Sequence, residues 1–216
     1  MAIRVGLIRV LTTKDENLLN AHGRLIENRF PELKVESRCI EDQPEGIHDE
    51  HTCAIAIPKI YKLGKEMERE GVKAIIVSCA DDPGVKELRE AVHIPVIGAG
   101  SSSACLALSF GSKVGILGIT ESAPRVMKDI LGEHLIAETR PEGVRTTLDL
   151  MTDKGRKNAL KAVETLRSHG AEVIALACTG YATIGIKEDL ERAAGFPVVD
   201  AVEAAGLFTW HFTRWV

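Results

Sequence analysis

Aromatic side chains are scarce in this chain of 216 residues: Phe, Trp and Tyr together make 4% of it. So few rings leave little from which to build a base-stacking platform. An excess of positive charge is also lacking. The formal net charge is -4 and the pI is near 6.0, which gives no general attraction to nucleic acid or to an anionic lipid surface. No stretch approaches the roughly 20 apolar residues that span a bilayer. Met1 to Val10 shows no basic leader with a long apolar run and cleavage site, and reads as a first strand, so a cytoplasmic protein is expected. The cysteines lack a pairing pattern. Cys39, Cys53, Cys79, Cys105 and Cys178 are odd in number, widely spaced and free of any CxxC, unlike a disulfide framework or a structural zinc site. The plain reading of each is a small buried hydrophobe.

What the chain does have is enough apolar residue, 45%, to build a core of one large or two small α/β units. Strands are readable at Arg4–Val10, Leu33–Cys39, Ala74–Ser78, Pro95–Gly98, Lys113–Thr120, Leu135–Thr139, Val173–Ala177 and Pro197–Val199. Amphipathic helical segments lie between them at Asp15–Arg29, Pro58–Glu70, Val85–Ala91, Ser122–Leu131, Asp153–His169 and Lys187–Ala194. Strands apolar throughout, alternating with helices, imply parallel sheets covered on both faces.

The chain also resembles itself. Arg4-Val-Gly-Leu-Ile8 matches Lys113-Val-Gly-Ile-Leu117, and Pro95-Val-Ile97 matches Pro197-Val-Val199. Between these, Gly71-Val-Lys-Ala-Ile-Ile-Val-Ser-Cys79 matches Gly170-Ala-Glu-Val-Ile-Ala-Leu-Ala-Cys178. A repeat of roughly 100 residues is too long for a solenoid unit. It predicts two similar α/β lobes with a ligand cleft between them. The first lobe is expected to take residues 1–98 plus a C-terminal helix at about 200–216, the second residues 99–199.

In each half a cysteine falls at the carboxyl end of a strand, the edge where open parallel sheets bind ligands. Two acid/base groups on opposite lobes suit the inversion of a carbon bearing an acidic hydrogen: one removes the proton from one face and the other delivers a proton to the opposite face. A thiol, with an ordinary pKa near about 8.5, can do this if amide donors lower that value. The resulting carbanion needs preorganised donors. Neither a cofactor nor a metal is required by this scheme. The bland alternative is that both cysteines are packing positions inherited from an ancestral half.

At these residues the chain resembles the aspartate/glutamate racemase superfamily, and within it the hydantoin racemases. The resemblance covers essentially the whole chain. It is carried by the paired strand-end cysteines, Cys79-Ala-Asp-Asp-Pro-Gly84, Gly46-Ile-His-Asp-Glu50, and Pro95-Val-Ile-Gly98 leading into a helix. It implies cofactor-independent racemisation of 5-substituted hydantoins or a related ureide such as allantoin, with Cys79 and Cys178 as the acid/base pair. It further implies that Ala80, Asp81, Thr179 and Gly180 present backbone N–H groups to ring carbonyls, that Ile47 lines a side-chain pocket, and that Thr120 and Glu121 border the cleft. The chain departs from the pattern in two places. Arg9-Val-Leu-Thr12 stands where many relatives carry an Asn-Pro-Asn type turn, and Thr179-Gly-Tyr181 stands where hydantoin racemases more often read Ala-Gly-Met.

Other readings compete. An acidic amino acid racemase, a maleate isomerase or a malonate decarboxylase would use the same scaffold, though a decarboxylase of this kind needs only one cysteine. A small-molecule binding module is a third class. His48, His51 and Cys53 are close in sequence but lack a fourth zinc ligand, so a pocket rim is the expected use and no metal is expected. Gly98-Ala-Gly100-Ser-Ser lacks the rest of a dinucleotide fingerprint and reads as a tight strand-to-helix turn. Asp81 and Asp82 are expected to cap a helix starting near Pro83. The Phe208–Trp215 segment is expected to be a helix docking an aromatic face in the core or against a second subunit. The expected partner is a small-molecule substrate, with neither nucleic acid nor membrane, in a homo-oligomer.

Overall fold

A computed structural model describes residues 2–214. It holds two four-stranded sheets in which every neighbouring pair is parallel. The first contains β1 (Ile3–Arg9), β2 (Leu33–Cys39), β3 (Ile75–Ser78) and β4 (Val96–Gly98), in the order β2-β1-β3-β4. The second contains β5 (Val114–Leu117), β6 (Leu135–Thr139), β7 (Val173–Leu176) and β8 (Val198–Val199), in the order β6-β5-β7-β8. Taken by position in the repeat, the two orders are identical. The α/β class and the twin parallel sheets are as the apolar runs demanded: β3, β5, β7 and β8 are buried at every residue, because helices cover both of their faces.

The helices are α1 (Glu16–Arg29), α2 (Glu50–Arg69), α3 (Val85–Ala91), α4 (Ala99–Ala107), α5 (Arg125–Leu131), α6 (Thr147–Leu150), α7 (Asp153–Ser168), α8 (Gly180–Ile184), α9 (Lys187–Ala194) and α10 (Ala201–Thr213). Helix α2 begins eight residues before the expected Pro58. A capping box between Asp49 and Thr52 starts it, and Pro58 lies inside the helix, where its ring costs one backbone hydrogen bond. Asp82 does not cap the helix that follows it. Its carboxylate instead accepts from the N–H groups of Gly100 (2.7 Å) and Ser101 (2.9 Å) at the start of α4. The loop after Cys79 is thus seated on α4, and the approach is so close that a Cβ on Gly100 would lie 1.8 Å from the Ala80 carbonyl oxygen. Residues 215 and 216 of the expected terminal segment lie outside the described residues. Within α10, Trp210 packs its ring 5.9 Å from that of Phe30, while Phe212 stays exposed.

Each repeat sends its last helix to the other repeat. Helix α4 follows β4 but places Ala104 and Ala107 in the cluster of Val114, Ile116, Val173 and Ala175 from the second sheet. Helix α10 follows β8 but places Ala201, Val202 and Ala205 against Val5, Leu7 and Ile76 of the first. No helix among the described residues is long and apolar enough to cross a membrane.

A buried imidazole joins the two strand ends. His22 of α1 pairs through Nδ1 with Ser78 Oγ and through Nε2 with Thr183 Oγ1, both at 2.8 Å. Ser78 directly precedes Cys79, and Thr183 lies on the short helix α8 after Cys178. The Thr179 hydroxyl adds a second tie, donating to the Ser78 carbonyl at 3.3 Å. Burial, and then the nearby Arg9 guanidinium, push the His22 pKa well below its ordinary value, so the ring is neutral.

That neutrality generates a pH signature. The unfolded imidazole takes up a proton near about pH 6.5 while the folded one does not, so acidification below that point favours unfolding by up to about 1.4 kcal/mol per pH unit. Asp200, pushed up to about 6 by burial, acts in the opposite sense: its folded form gains stability as pH falls through that value. Comparison with His22→Gln cancels the Asp200 contribution. Denaturant midpoints taken from about pH 7 down to about pH 5 should show wild type losing its advantage over the variant on acidification. A constant gap would mean that the imidazole takes up its proton as readily in the folded protein as in the unfolded one.

Candidate active site

The carboxyl ends of both sheets open into one cleft of about 1210 Å³. Cys79 and Cys178 both line it, as do Ile47, Ala80, Asp81, Thr120, Glu121, Thr179 and Gly180. Every residue singled out from the sequence for the site is therefore on this one surface. Parallel strands carry the two cysteines there by the same route: β3 ends at Ser78 and β7 at Leu176, and each chain then turns across the sheet edge. Cys178 is buried, with 7% of its surface exposed, and Cys79 is partly exposed.

The electrostatics differ from the sequence expectation. Amide donors were expected to lower both thiol pKa values, but both are raised, with desolvation as the leading cause. The donors are present and are outweighed. Gly180 N–H points at Cys178 Sγ at 3.3 Å, and Thr147 Oγ1 lies 3.7 Å from the same sulfur. The Asp81 N–H acts on Cys79 in the same sense, but the Asp81 carboxylate, the Cys178 thiolate and the Asp82 carboxylate oppose it. Cys79 is thus pushed well above the ordinary thiol value, and both groups are thiols at neutral pH. The Gly180 amide is accordingly turned to sulfur rather than left free for a ring carbonyl. Gly180 is also a steric requirement, since a Cβ there would meet Thr147 Cγ2 at 2.7 Å and Cys178 Sγ at 3.2 Å.

The remaining residues fall into two zones. Ile47 packs on the cluster of Ile60, Val77 and Val85, giving the first lobe's wall an apolar patch. Glu121 is at the rim, with 89% of its side chain exposed and an ion pair to Arg140 at 3.3 Å. Thr120 turns its hydroxyl to the Ser122 carbonyl at 2.8 Å. His48 and Cys53 line the cleft, whereas His51 is not among the lining residues. Cys53 donates to Asp81 Oδ2 at 3.2 Å and is pushed up to about 12 by burial and by that carboxylate. Among the described residues no three metal-capable side chains come together.

Sequence reading missed several groups. Thr147, from the short helix α6, carries no motif and is brought to Cys178 only by folding. His22 lies on an ordinary amphipathic helix, and nothing local marks it. Arg9 did leave a signal, as a charged residue closing a strand whose preceding four residues, Val5 to Ile8, are apolar or glycine. It lines the cleft with 4% of its surface exposed, and burial lowers its pKa to about 10.

Comparison with known proteins agrees with this architecture. Residues 16–206 match the family model described as Asp/Glu/Hydantoin racemase. Among curated relatives, a hydantoin racemase of Pseudomonas sp. (strain NS671) is 30% identical over 172 residues, covering 76% of this chain and 66% of that protein. A hydantoin racemase of Rhizobium meliloti is 27% identical over 171 residues, covering 76% of this chain and 70% of that protein. In fold, the chain superposes on the allantoin racemase from Klebsiella pneumoniae with a TM-score of 0.84 at 21% identity, covering 99% of this chain and 89% of that one. A glutamate racemase of Bacillus anthracis gives a TM-score of 0.73 at 14% identity, covering 99% and 82%. With its twin parallel sheets and the family match over residues 16–206, the chain belongs to the Asp/Glu/hydantoin racemase family.

Proposed function

We propose that this protein is a cofactor-independent racemase of 5-substituted hydantoins or a related ureide such as allantoin, with Cys79 and Cys178 as its two acid/base groups. The observation that carries the reading is the placement of both cysteines on one cleft at the equivalent ends of repeated strands. The two units flanking that cleft are taken as residues 1–98 with the terminal helix, and residues 99–199. The hydantoin ring suits the site because the carbanion at its asymmetric carbon is delocalised into the adjacent ring carbonyl.

In one direction the thiolate of one cysteine removes the ring proton, and the C–H electron pair moves onto the carbonyl oxygen as an enolate. The other cysteine, still a thiol, returns a proton to the opposite face and becomes the thiolate. One negative charge is conserved throughout. Ile47 and its apolar surroundings take the ring substituent, while the Ala80 and Thr179 amides and the rim residues Thr120 and Glu121 bound the ring. A cytoplasmic setting fits a pair of thiols that must stay reduced. A homo-oligomer is the expected form, with the exposed Phe212 on α10 offering apolar surface for it.

A single enantiomer of a 5-alkylhydantoin in deuterated water should lose optical rotation and take up deuterium at the asymmetric carbon, above the enzyme-free blank. Cys79→Ser and Cys178→Ser should each lower the racemisation rate by about 10²–10⁴, the usual worth of a positioned acid or base. Wild-type rates in both variants would end the two-thiol scheme.

The raised thiol values predict the pH profile of the same reaction. Only a form with one thiolate and one thiol is active, and burial keeps that form scarce at neutral pH. Because raising pH generates the first thiolate, kcat/KM should climb above neutrality, up to about tenfold per pH unit, and fall where both sulfurs ionise. A profile flat from about pH 7 to about pH 9 would mean that the base is not a buried thiol.

A further inference from the structure

Arg9 is a buried cation without an anionic partner among the described residues. It closes β1, in register with Cys39 on one side and Ser78 on the other. Its Nη1 donates to the carbonyls of Leu18 and Leu19 (3.2 Å to the latter), which anchors one corner of the guanidinium to α1. These are its only hydrogen bonds among the described residues, where it also makes no ion pair with a carboxylate, and its other edge borders the cleft. The titratable groups that bear on it are Cys39 of β2 and Cys178 beyond β7, which attract it only as thiolates. His22, on α1, is neutral. A guanidinium has five donors in a planar fork, and those that no protein acceptor takes are left to a ligand in the cleft that Arg9 lines.

The cleft has a matching need. The enolate puts a full negative charge on an oxygen beside the reacting carbon, and one of the four turn amides, that of Gly180, is already engaged by sulfur. Arg9 and Cys178 lie on the same cleft and within each other's field. The Asp200 carboxylate, which caps α10, acts on Cys178 in the opposite sense.

On the racemase reading given above, we infer that Arg9 is a catalytic residue whose free N–H edge takes the negative charge of the deprotonated substrate, making the cleft selective for planar ureide anions. The electron pair leaving the C–H bond ends on the oxygen facing Arg9, while the proton goes to the thiolate sulfur. The guanidinium stays protonated throughout. Such a charge-assisted pair forms only as charge develops, so it lowers the barrier more than it tightens the neutral ground state.

The test separates this role from the racemase reading by using ligands that do not turn over. Calorimetry on wild type near neutral pH should show urate, a planar ureide anion, binding at least about tenfold more tightly than neutral 5,5-dimethylhydantoin. Arg9→Met should weaken urate by roughly tenfold to a hundredfold and leave dimethylhydantoin nearly unchanged. Arg9→Lys, which keeps the charge without the fork, should recover part of the loss. With a racemised hydantoin, Arg9→Met should lower kcat by about 10²–10³ with little change in KM. The inference is overturned if wild type does not prefer urate, if Arg9→Met binds urate as wild type does, or if it weakens both ligands equally, as a purely structural arginine would. If the urate result holds but wild type racemises no hydantoin, the anion site stands and the hydantoin racemase reading falls.

Discussion

The His22 imidazole, hydrogen-bonded at both nitrogens, sets the geometry on which the cleft depends. Ser78 and Thr183 come from different repeats, and each sits beside or just beyond a cleft cysteine. A ring with one donor and one acceptor spans them at fixed distance, and its burial keeps it uncharged. A neutral ring can receive from one hydroxyl while donating to the other; a protonated one would offer two donors to partners that also need to place their own protons. The spacing of the two thiol-bearing turns thus rests on a proton that is never taken up.

The same desolvation that organises the site works against its chemistry. Moving a thiol out of water raises its pKa, and the cleft answers with local donors: Gly180 N–H and the Thr147 hydroxyl at Cys178, the Asp81 amide at Cys79. The answer is unequal on the two sides. Cys79 faces the carboxylates of Asp81 and Asp82, and one of these is held in place by capping α4. Cys178 shares the cleft with the Arg9 guanidinium, whose charge acts on it against that of Asp200. Two positions made equivalent by repetition have therefore been given different charge surroundings by residues that the repeat does not share.

Much of this was legible before the structure, for a physical reason. A strand buried on both faces must be apolar along its length, so Ile75–Ser78 and Val173–Leu176 announce themselves and carry their cysteines with them. Helix α9 is equally legible at Lys187–Ala194, because one face is wet and the other dry. For helix α4 only the start was legible, at the turn after Gly98, since Ala-Gly-Ser-Ser-Ser-Ala is buried on several sides and shows no polar stripe to mark its length. Pro58 misled in another way, because proline marks a first helical turn more often than an interior. The charge balance was illegible altogether. That Asp82 serves α4, that Thr147 reaches Cys178, and that Arg9 finds no carboxylate are all products of long-range packing.

The exchange of terminal helices has its own implication for how the molecule holds together. Because α4 covers the second sheet and α10 the first, each half closes its partner rather than itself. A chain cut after residue 98 would leave Leu7, Ile76 and their neighbours facing water, with the covering helix on the other fragment. The halves interlock like clasped hands, and the pocket between the palms cannot be loosened without unwrapping the fingers.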